Sequence, residues 1–381
     1  MTGESVAARE RHATNLELFL DLVFVFAVTQ IASLIGRHHS GIGTAKGLLV
    51  FTLVWWQWSQ FTWAGSAADL QANARTRVLV LCLIPITLLM TTSIPSAFGS
   101  TGVWFGAAYV GVQLLVLVAQ GLRAMSDPIT RLAFVRYTTF ASVAPVVVFG
   151  GAFVHGNARV IVWVVAALLN LIGGLRAAGG EWVIDPVHFS ERHALFIIIA
   201  LGEVLVTAGA AASEAGLHRA SAVAMVVAVA GACMVWWTYF AFIPEVGEHA
   251  LRRTTGGARG RLARDMFTFG HFPLAFGIIL YAVVVKHLVA DPGRPLSLDD
   301  RSLLALSVAS FVGGLLAIQF RVVRRVAPER FVAIAVAAVV CALGRSIAGE
   351  IIVALVAVVY SMMQTITWHH VRAVHPTADR P

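Results

Sequence analysis

The chain has little charge. Only 13% of its 381 residues are Asp, Glu, Lys or Arg, whereas soluble domains carry about 25%. Apolar residues make up 58%, and the mean hydropathy is +0.81. These values exclude an ordinary soluble domain and predict an integral membrane protein, whose apolar blocks of about 20 residues cross the bilayer as helices. No alternating strand pattern of the barrel type is present, which leaves helices as the spanning structure.

Cysteines and the common cofactor motifs are also scarce. The three cysteines, Cys82, Cys233 and Cys341, lie in apolar segments without a C-x-x-C pair, so we expect reduced, buried thiols and no disulfide framework. The absence of H-x-x-H and H-E-x-x-H spacings gives a zinc site little support. A Walker loop, a dinucleotide fingerprint and a nucleophile elbow are missing too. We therefore expect no metal and no cofactor.

Lysine is nearly absent, since only Lys46 and Lys286 occur among the 28 basic residues. The arginines concentrate in a few loops, so the net charge of +8 indicates membrane topology and no nucleic-acid partner. With the N-terminus placed in the cytoplasm, 20 basic residues fall on the cytoplasmic side of the predicted spans and 8 on the other. This bias predicts an inner-membrane protein with both termini cytoplasmic and with membrane lipid as a partner.

Hydropathy and turn signals predict an all-α, polytopic bundle of about twelve spans. Their approximate bounds are 16–36, 44–65, 76–97, 102–122, 133–154, 158–178, 193–213, 220–243, 267–290, 302–322, 329–346 and 349–369. The polar segment 244–266, which carries five Arg, is predicted to be a mobile cytoplasmic loop.

The first half of the chain recurs in the second. Glu-Arg-His-Ala occurs at 10–13 and again at 191–194. Asp21 follows the first of these arginines by 10 residues, Glu203 follows the second by 11, and a Trp-Trp pair comes later in each half. We interpret 1–185 and 186–381 as two six-helix repeats in the same orientation, related by an axis along the membrane normal.

Asp21 and Glu203 are the leading site candidates, because each is an acid deep inside an apolar segment. Counting 1.5 Å per residue from Arg11 and Arg192 places both acids at about the same depth, where they would line a cavity between the repeats. The alternative is a structural role, in which each acid is neutral or paired with an arginine of a neighbouring helix.

Other residues extend this candidate ion or substrate site. Glu17 shares a helix face with Asp21. Gly202, directly before Glu203, permits either close helix packing or the approach of a ligand. Aromatic and amide side chains of the second and eighth spans offer walls for a cation or a flat ligand, with an interfacial aromatic belt as the alternative. These residues are Trp56, Gln57, Gln60 and Trp237.

The ninth predicted span contains His271-Phe272-Pro273. Because histidine titrates near neutrality, His271 is interpreted either as part of a proton relay or as a structural hydrogen-bonding group. Pro273 frees a carbonyl one turn earlier and is predicted to kink the helix. We assign Pro273, together with Arg11 and Arg192, a structural or gating role.

Several motifs resemble those of one bacterial family. They are ELFLDLVFV at 17–25, ER at 191–192, ALGE at 200–203, WWTYF at 236–240 and HFPL at 271–274. On these residues, and over most of 9–290, the chain resembles the low-temperature-requirement A (LtrA) family. The resemblance implies a polytopic bacterial inner-membrane protein and supplies no activity. Val204 departs from the family, which often has Ser at that place.

Three functions fit these observations. The first is a transporter or channel for a small cation or proton, with the duplicated acids at the interface of the repeats. The second is a membrane-embedded enzyme that acts on a lipid or isoprenoid, with the acids and His271 as acid–base groups. The third is a non-catalytic membrane component of a stress response. Enzymatic activity and homo-oligomerisation both stay open.

Overall fold

The computed structural model describes residues 11–67, 70, 73–124, 128–177 and 182–374. Over these ranges the fold is all-helical, as predicted, and the strand-like contacts amount to one bridge between Pro295 and Ala348. The helices are α1 (Asn15–Arg37), α2 (Gly41–Ala67), α3 (Ala74–Thr92), α4 (Gly102–Ala124), α5 (Pro128–Ala141), α6 (Val143–Gly151), α7 (Asn157–Ala177), α8 (Pro186–Glu214), α9 (Arg219–Phe240), α10 (Ile243–Arg252), α11 (Gly256–Ala263), α12 (His271–Ala290), α13 (Leu298–Val323), α14 (Pro328–Leu343) and α15 (Gly349–Val374).

Nine helical segments within the described residues are long and apolar enough to cross a membrane. They are Asn15–Arg37, Ala74–Ser96, Gly102–Leu122, Asn157–Arg176, Pro186–Glu214, Arg219–Arg252, Gly256–Ala290, Leu298–Val323 and Gly349–His369. The protein is therefore a multi-pass membrane protein. The other three predicted segments are also helical: 44–65 lies in α2, 329–346 lies mostly in α14, and 133–154 is divided between α5 and α6.

Side-chain caps fix where several helices begin. The hydroxyl of Thr14 accepts from the backbone N–H of Glu17, whose carboxylate accepts in return from Thr14, and this capping box starts α1. The side chains of Asn73, Asp185 and Ser297 accept from first-turn backbone N–H groups and so cap α3, α8 and α13. Since an apolar run alone does not define a first turn, these polar residues set the register of the buried faces.

The core lies around α12, which packs against α13 on one side and against α8, α9 and α1 on the others. The approach of α12 to α13 is closest at Gly277. A Cβ at that position would lie 2.7 Å from the backbone oxygen of Ser307 and 2.9 Å from the backbone nitrogen of Phe311. The hydroxyl of Ser307 donates to the Gly277 carbonyl at 2.7 Å, so this contact joins the two backbones directly.

Two expectations are wrong. The segment 244–266 is helical, since it contains most of α10, all of α11 and the start of a π-helix, Arg264–Phe269, which leads into α12. Cys82 and Cys233 are exposed on the outside of the bundle, and Cys341 is buried. The sequence places a cysteine within a span, but it does not determine which side of that helix meets neighbouring helices.

Candidate functional site

Helices α1 and α8 lie side by side and run in the same direction. Three polar pairs connect them, and the residue numbers rise together along both helices, as parallel packing requires. We call these pairs the first, central and third rungs of the α1–α8 ladder. They are, in this order, Glu17 with His188, Asp21 with Arg192, and Thr29 with Glu203.

The central rung is a buried ion pair. Both terminal nitrogens of Arg192 bond the Asp21 carboxylate, with Nη2 at 2.8 Å from Oδ1. Trp58 Nε1 donates to the same oxygen at 3.1 Å. Arg192 is fully buried, Asp21 is 4% exposed, and the guanidinium lies over the rings of Trp58 and Phe61. Asp21 thus has a counter-charge and three hydrogen-bond donors, which matches the structural alternative.

The first rung lies beside a cavity of about 120 Å³ at the start of α1 and α8. His188 Nε2 is 2.9 Å from Glu17 Oε1, and both side chains are buried. Glu17 also holds the first turn of α1 through Thr14, so its position is fixed by two elements. His188 Nδ1 has no hydrogen-bond partner among the described residues. The rung therefore places a histidine–carboxylate pair at the wall of this cavity.

The third rung contains Glu203, whose surroundings differ from those of Asp21. Thr207 donates to Glu203 Oε1 at 2.8 Å, and Thr29 donates to Oε2. Glu203 is 4% exposed, and within the described residues it forms no ion pair. It is a buried carboxyl group held by two hydroxyls, the kind of group that is stable when it carries a proton or a bound cation.

The prediction that Asp21 and Glu203 share one depth is wrong. Glu203 pairs with Thr29, which lies eight residues beyond Asp21 on α1, or about 12 Å along the helix. Arg11 precedes α1, where its backbone N–H bonds the Asp185 carboxylate at 3.3 Å and its side chain bonds the Ser66 carbonyl. Arg192 instead lies inside α8, so equal counts from the two arginines start at different levels. Glu10, in the first copy of the tetrapeptide, lies outside the described residues.

Gly202 does not mark a close helix contact. A Cβ at this position would meet no heavy atom within 4 Å, so the packing explanation has no support there. Val204 is fully buried in the core. In the chain, Glu203 therefore follows Gly202, where an added side chain would contact nothing, and precedes the buried Val204.

His271 belongs to a compact group of rings. Its Nε2 lies 2.8 Å from the Tyr239 hydroxyl and its Nδ1 lies 3.0 Å from the Met266 carbonyl, which belongs to the π-helix. The His193 ring lies 5.2 Å from the His271 ring and is also fully buried. His193 Nδ1 bonds the Phe189 carbonyl, and its Nε2 has no partner among the described residues. The two imidazoles link α8 with α12 directly behind the ladder.

Trp56 and Gln60 line a small cavity of about 40 Å³, walled also by Tyr137, Gln120 and Arg264. The Tyr137 hydroxyl donates to Gln60 Oε1, and Gln120 donates to the Gln60 backbone carbonyl at 3.3 Å. The amide of Gln60 thus has the partner within the membrane region that it requires. This cavity is separate from the ladder.

Gln57 and Trp237 occupy opposite environments. Gln57 is fully buried, and its Nε2 donates to the Tyr109 carbonyl at 3.3 Å while its Oε1 has no partner among the described residues. Trp237 is 58% exposed on the outside of the bundle, as is the neighbouring Trp236 at 47%. The structure does not bring Trp237 together with the acids, and its position suits an aromatic belt.

Pro273 is the third residue of α12, which follows the π-helix directly. The Ser310 hydroxyl donates to the Pro273 carbonyl at 2.8 Å, which ties α12 to α13. The irregular backbone precedes the proline, because the π-helix ends at Phe269. The structure therefore places the irregularity before α12 and not at a kink within it.

Sequence reasoning missed three residues of this site: Trp58, His188 and His193. His193 stands in the repeated tetrapeptide, which was a usable signal, and Trp58 follows the Trp-Trp pair by two residues. His188 had no such signal. Its role depends on the register of α8 against α1, which only the packed structure determines.

Comparison with known proteins agrees with the motifs. The family described as Bacterial low temperature requirement A protein (LtrA) matches residues 12–365, nearly the whole chain, and confirms the resemblance. An uncharacterized protein of Rhizobium meliloti (strain 1021) is 30% identical over 292 residues, which cover 72% of this chain and 69% of that protein. No solved structure matches the chain.

Proposed function

We propose that this chain, which belongs to the bacterial low temperature requirement A (LtrA) family, is a transporter or channel for a small cation or proton. In this proposal it lies in the inner membrane with both termini in the cytoplasm, and about twelve spans form two parallel six-helix repeats, 1–185 and 186–381. The parallel course of α1 and α8 supports this arrangement, because the first helices of two parallel repeats point the same way.

The observation that carries the proposal is the setting of Glu203. A hydroxyl both donates and accepts, so Thr29 and Thr207 can bond Glu203 whether it is protonated or ionised. Arg192 can only donate, and its two terminal nitrogens bond both oxygens of Asp21, an arrangement that favours an ionised carboxylate. Glu203 is therefore the residue that can exchange a proton or cation, while Asp21 holds α1 and α8 together.

The cavity beside Glu17 and His188 supports an entry route along the ladder. It lies at the first turns of α1 and α8, and Glu17 and His188 form part of its wall. Beyond the Asp21–Arg192 pair, α1 continues with buried apolar residues, among them Phe24 and Val28, up to the level of Glu203. The proposal therefore interprets this arrangement as a closed state, in which the apolar stretch separates the cavity from the proposed exchange site.

A second candidate, action on a lipid, is favoured by a cavity of about 710 Å³ between α2, α12 and α13. Its walls include Phe272, Phe276, Leu303 and Leu306, with Ser302 and Ser310 as polar groups. Such a cavity suits an acyl chain. None of the ladder acids lines it, so it supports lipid binding more than acid–base catalysis. A purely structural role of the acids is the third alternative.

Flux measurements test the transport proposal. The wild-type chain and Glu203→Gln are reconstituted in liposomes, and potassium and proton fluxes are followed with fluorescent dyes. Glu214→Gln is the matched control, because Glu214 lies at the exposed end of the same helix. We expect flux in the wild type and the control and its loss in Glu203→Gln, at unchanged thermal stability.

Two results would count against the proposal. Equal flux in Glu203→Gln and the wild type would remove Glu203 from the path. No flux of either ion through well-folded wild-type protein would reject these ions as substrates. In that case, native mass spectrometry of the purified chain, with and without Phe276→Ala, would test retained lipid as the sign of the second candidate.

A further inference from the structure

A cluster that the sequence did not predict lies at the end of the bundle opposite to the Glu17 cavity. His39 follows α1, His287 lies in the last turn of α12, and Asp300 lies in the first turn of α13. Their spacing in the chain, 39, 287 and 300, matches no metal-binding motif. The fold nevertheless brings one atom of each, His39 Nε2, His287 Nδ1 and one Asp300 oxygen, to within 4.8 Å of one another.

The distances converge on one carboxylate oxygen. Asp300 Oδ1 lies 2.9 Å from His39 Nε2 and 2.7 Å from His287 Nδ1. Zinc holds nitrogen and oxygen ligands at about 2.0–2.2 Å, which puts neighbouring ligand atoms roughly 3–3.5 Å apart. A small outward movement of the two rings would therefore admit an ion between the three atoms. Both rings are about 30% exposed, so the ion can arrive from solvent.

Asp300 is itself held in place. The Ser297 hydroxyl donates to Asp300 Oδ2 at 2.7 Å and accepts from the Asp300 backbone N–H at 3.0 Å. One carboxylate oxygen is thus occupied by an outer-shell partner while the other faces the imidazoles. Metal-binding carboxylates commonly have such a partner, which orients them for the ion. Asp300 is also 4% exposed, which is rare for an aspartate without partners.

We propose that His39, His287 and Asp300 form a binding site for a divalent transition cation of the zinc class. Two imidazoles and one carboxylate suit this class and leave a fourth position for water or another ligand. The bound ion would join the α1–α2 turn to the α12–α13 hairpin. The neighbouring residues Ser40 and Asp299 lie on the rim of the 710 Å³ cavity, so the ion would also stand at the mouth of that cavity.

The test uses the full chain, purified in detergent and stripped of metal with a chelator. Zn²⁺ alone is titrated by calorimetry, and Co²⁺ replaces it for visible absorption. Wild type is compared with His39→Gln, His287→Gln and Asp300→Asn. Glutamine can keep a hydrogen bond to Asp300 but is a poor zinc ligand, so it separates metal binding from a metal-free hydrogen-bonded cluster. His38→Ala is the matched control, because His38 is adjacent and exposed.

We expect one Zn²⁺ per chain in the wild type and in His38→Ala. With Co²⁺, both should show the visible absorption bands of a four-coordinate site. Removal of an outer-shell partner typically lowers metal affinity about 10–100-fold. Each ligand variant should lower the Zn²⁺ affinity by more than that. Zn²⁺ should also raise the unfolding temperature of the wild type and not of the variants. Equal Zn²⁺ affinity in wild type and all three variants, or no binding by wild type with intact helical circular dichroism, would overturn the proposal.

Discussion

Removing one partner of the Asp21–Arg192 pair should destabilise this protein more than removing one partner of an exposed ion pair. The perturbation is Asp21→Asn, which keeps the shape of the side chain and an oxygen for the Trp58 N–H but removes the charge. Arg192, which has no exposed surface, then loses the carboxylate to which it is hydrogen-bonded. The substitution of the other member of the pair, Arg192→Met, leaves Asp21 either buried as an unpaired anion or protonated.

The magnitude follows from the burial of both partners. Removing one member of a buried, hydrogen-bonded ion pair typically costs about 3–5 kcal/mol, because the remaining charge is uncompensated. Removing both charges and replacing them with apolar groups is often close to neutral. Each single change should therefore lower the free energy of unfolding by about 3–5 kcal/mol, and the double variant Asp21→Asn/Arg192→Met should lose less than either.

The assay is reversible unfolding by SDS in mixed micelles, followed by far-UV circular dichroism. Glu248→Gln provides the control, because Glu248 pairs with Arg252 at 2.8 Å on α10 with both side chains at least one-third exposed. An exposed pair contributes about 0–1 kcal/mol. Losses in the single variants no larger than in this control, or losses that simply add in the double variant, would refute the reasoning.

Two more predictions use the same unfolding assay. Gly277→Ala should lower the free energy of unfolding by about 1–3 kcal/mol, since its Cβ would lie 2.7 Å from the Ser307 carbonyl oxygen. Gly313→Ala is the control, because a Cβ there has no atom within 4 Å, and it should be neutral or slightly stabilising. Equal effects of the two substitutions would contradict the close contact of α12 with α13. Trp58→Phe should cost about 1.5–3 kcal/mol through the lost bond to the Asp21 carboxylate, and Trp237→Phe, which is exposed, should stay within about 0.5 kcal/mol. The same loss in both tryptophan variants would remove the Asp21 bond as the cause.

The helical class and the family could be predicted because they depend on local signals. Apolar blocks of about 20 residues determine spanning helices, and ELFLDLVFV at 17–25 is specific enough to identify the family. Polar residues at helix starts, such as Thr14, also act locally. The division of 133–154 into α5 and α6 was not predicted, although Pro145 within that segment was a usable signal.

The site was harder to predict because it depends on how one helix is shifted along another. Counting from Arg11 and Arg192 assumed that both arginines lie at equivalent depths, yet one precedes its helix and the other lies within it. The same limit hid the cluster of His39, His287 and Asp300, whose members are near one another only after three helix ends meet. Sequence spacing carries no information on such contacts.

The offset of the two acids restricts how a transport cycle could operate in this fold. An ion that enters by the Glu17 cavity meets the Asp21–Arg192 pair before it reaches Glu203, which lies about 12 Å further along the ladder. In the transport proposal, the pair is one of the three polar contacts between α1 and α8, and it lies on this route before the apolar residues Phe24 and Val28. A carboxylate held by two guanidinium nitrogens and an indole has three of its about four acceptor positions occupied. In the transport proposal, an ion can therefore reach Glu203 only when α8 moves against α1. This movement must rearrange the Asp21–Arg192 pair.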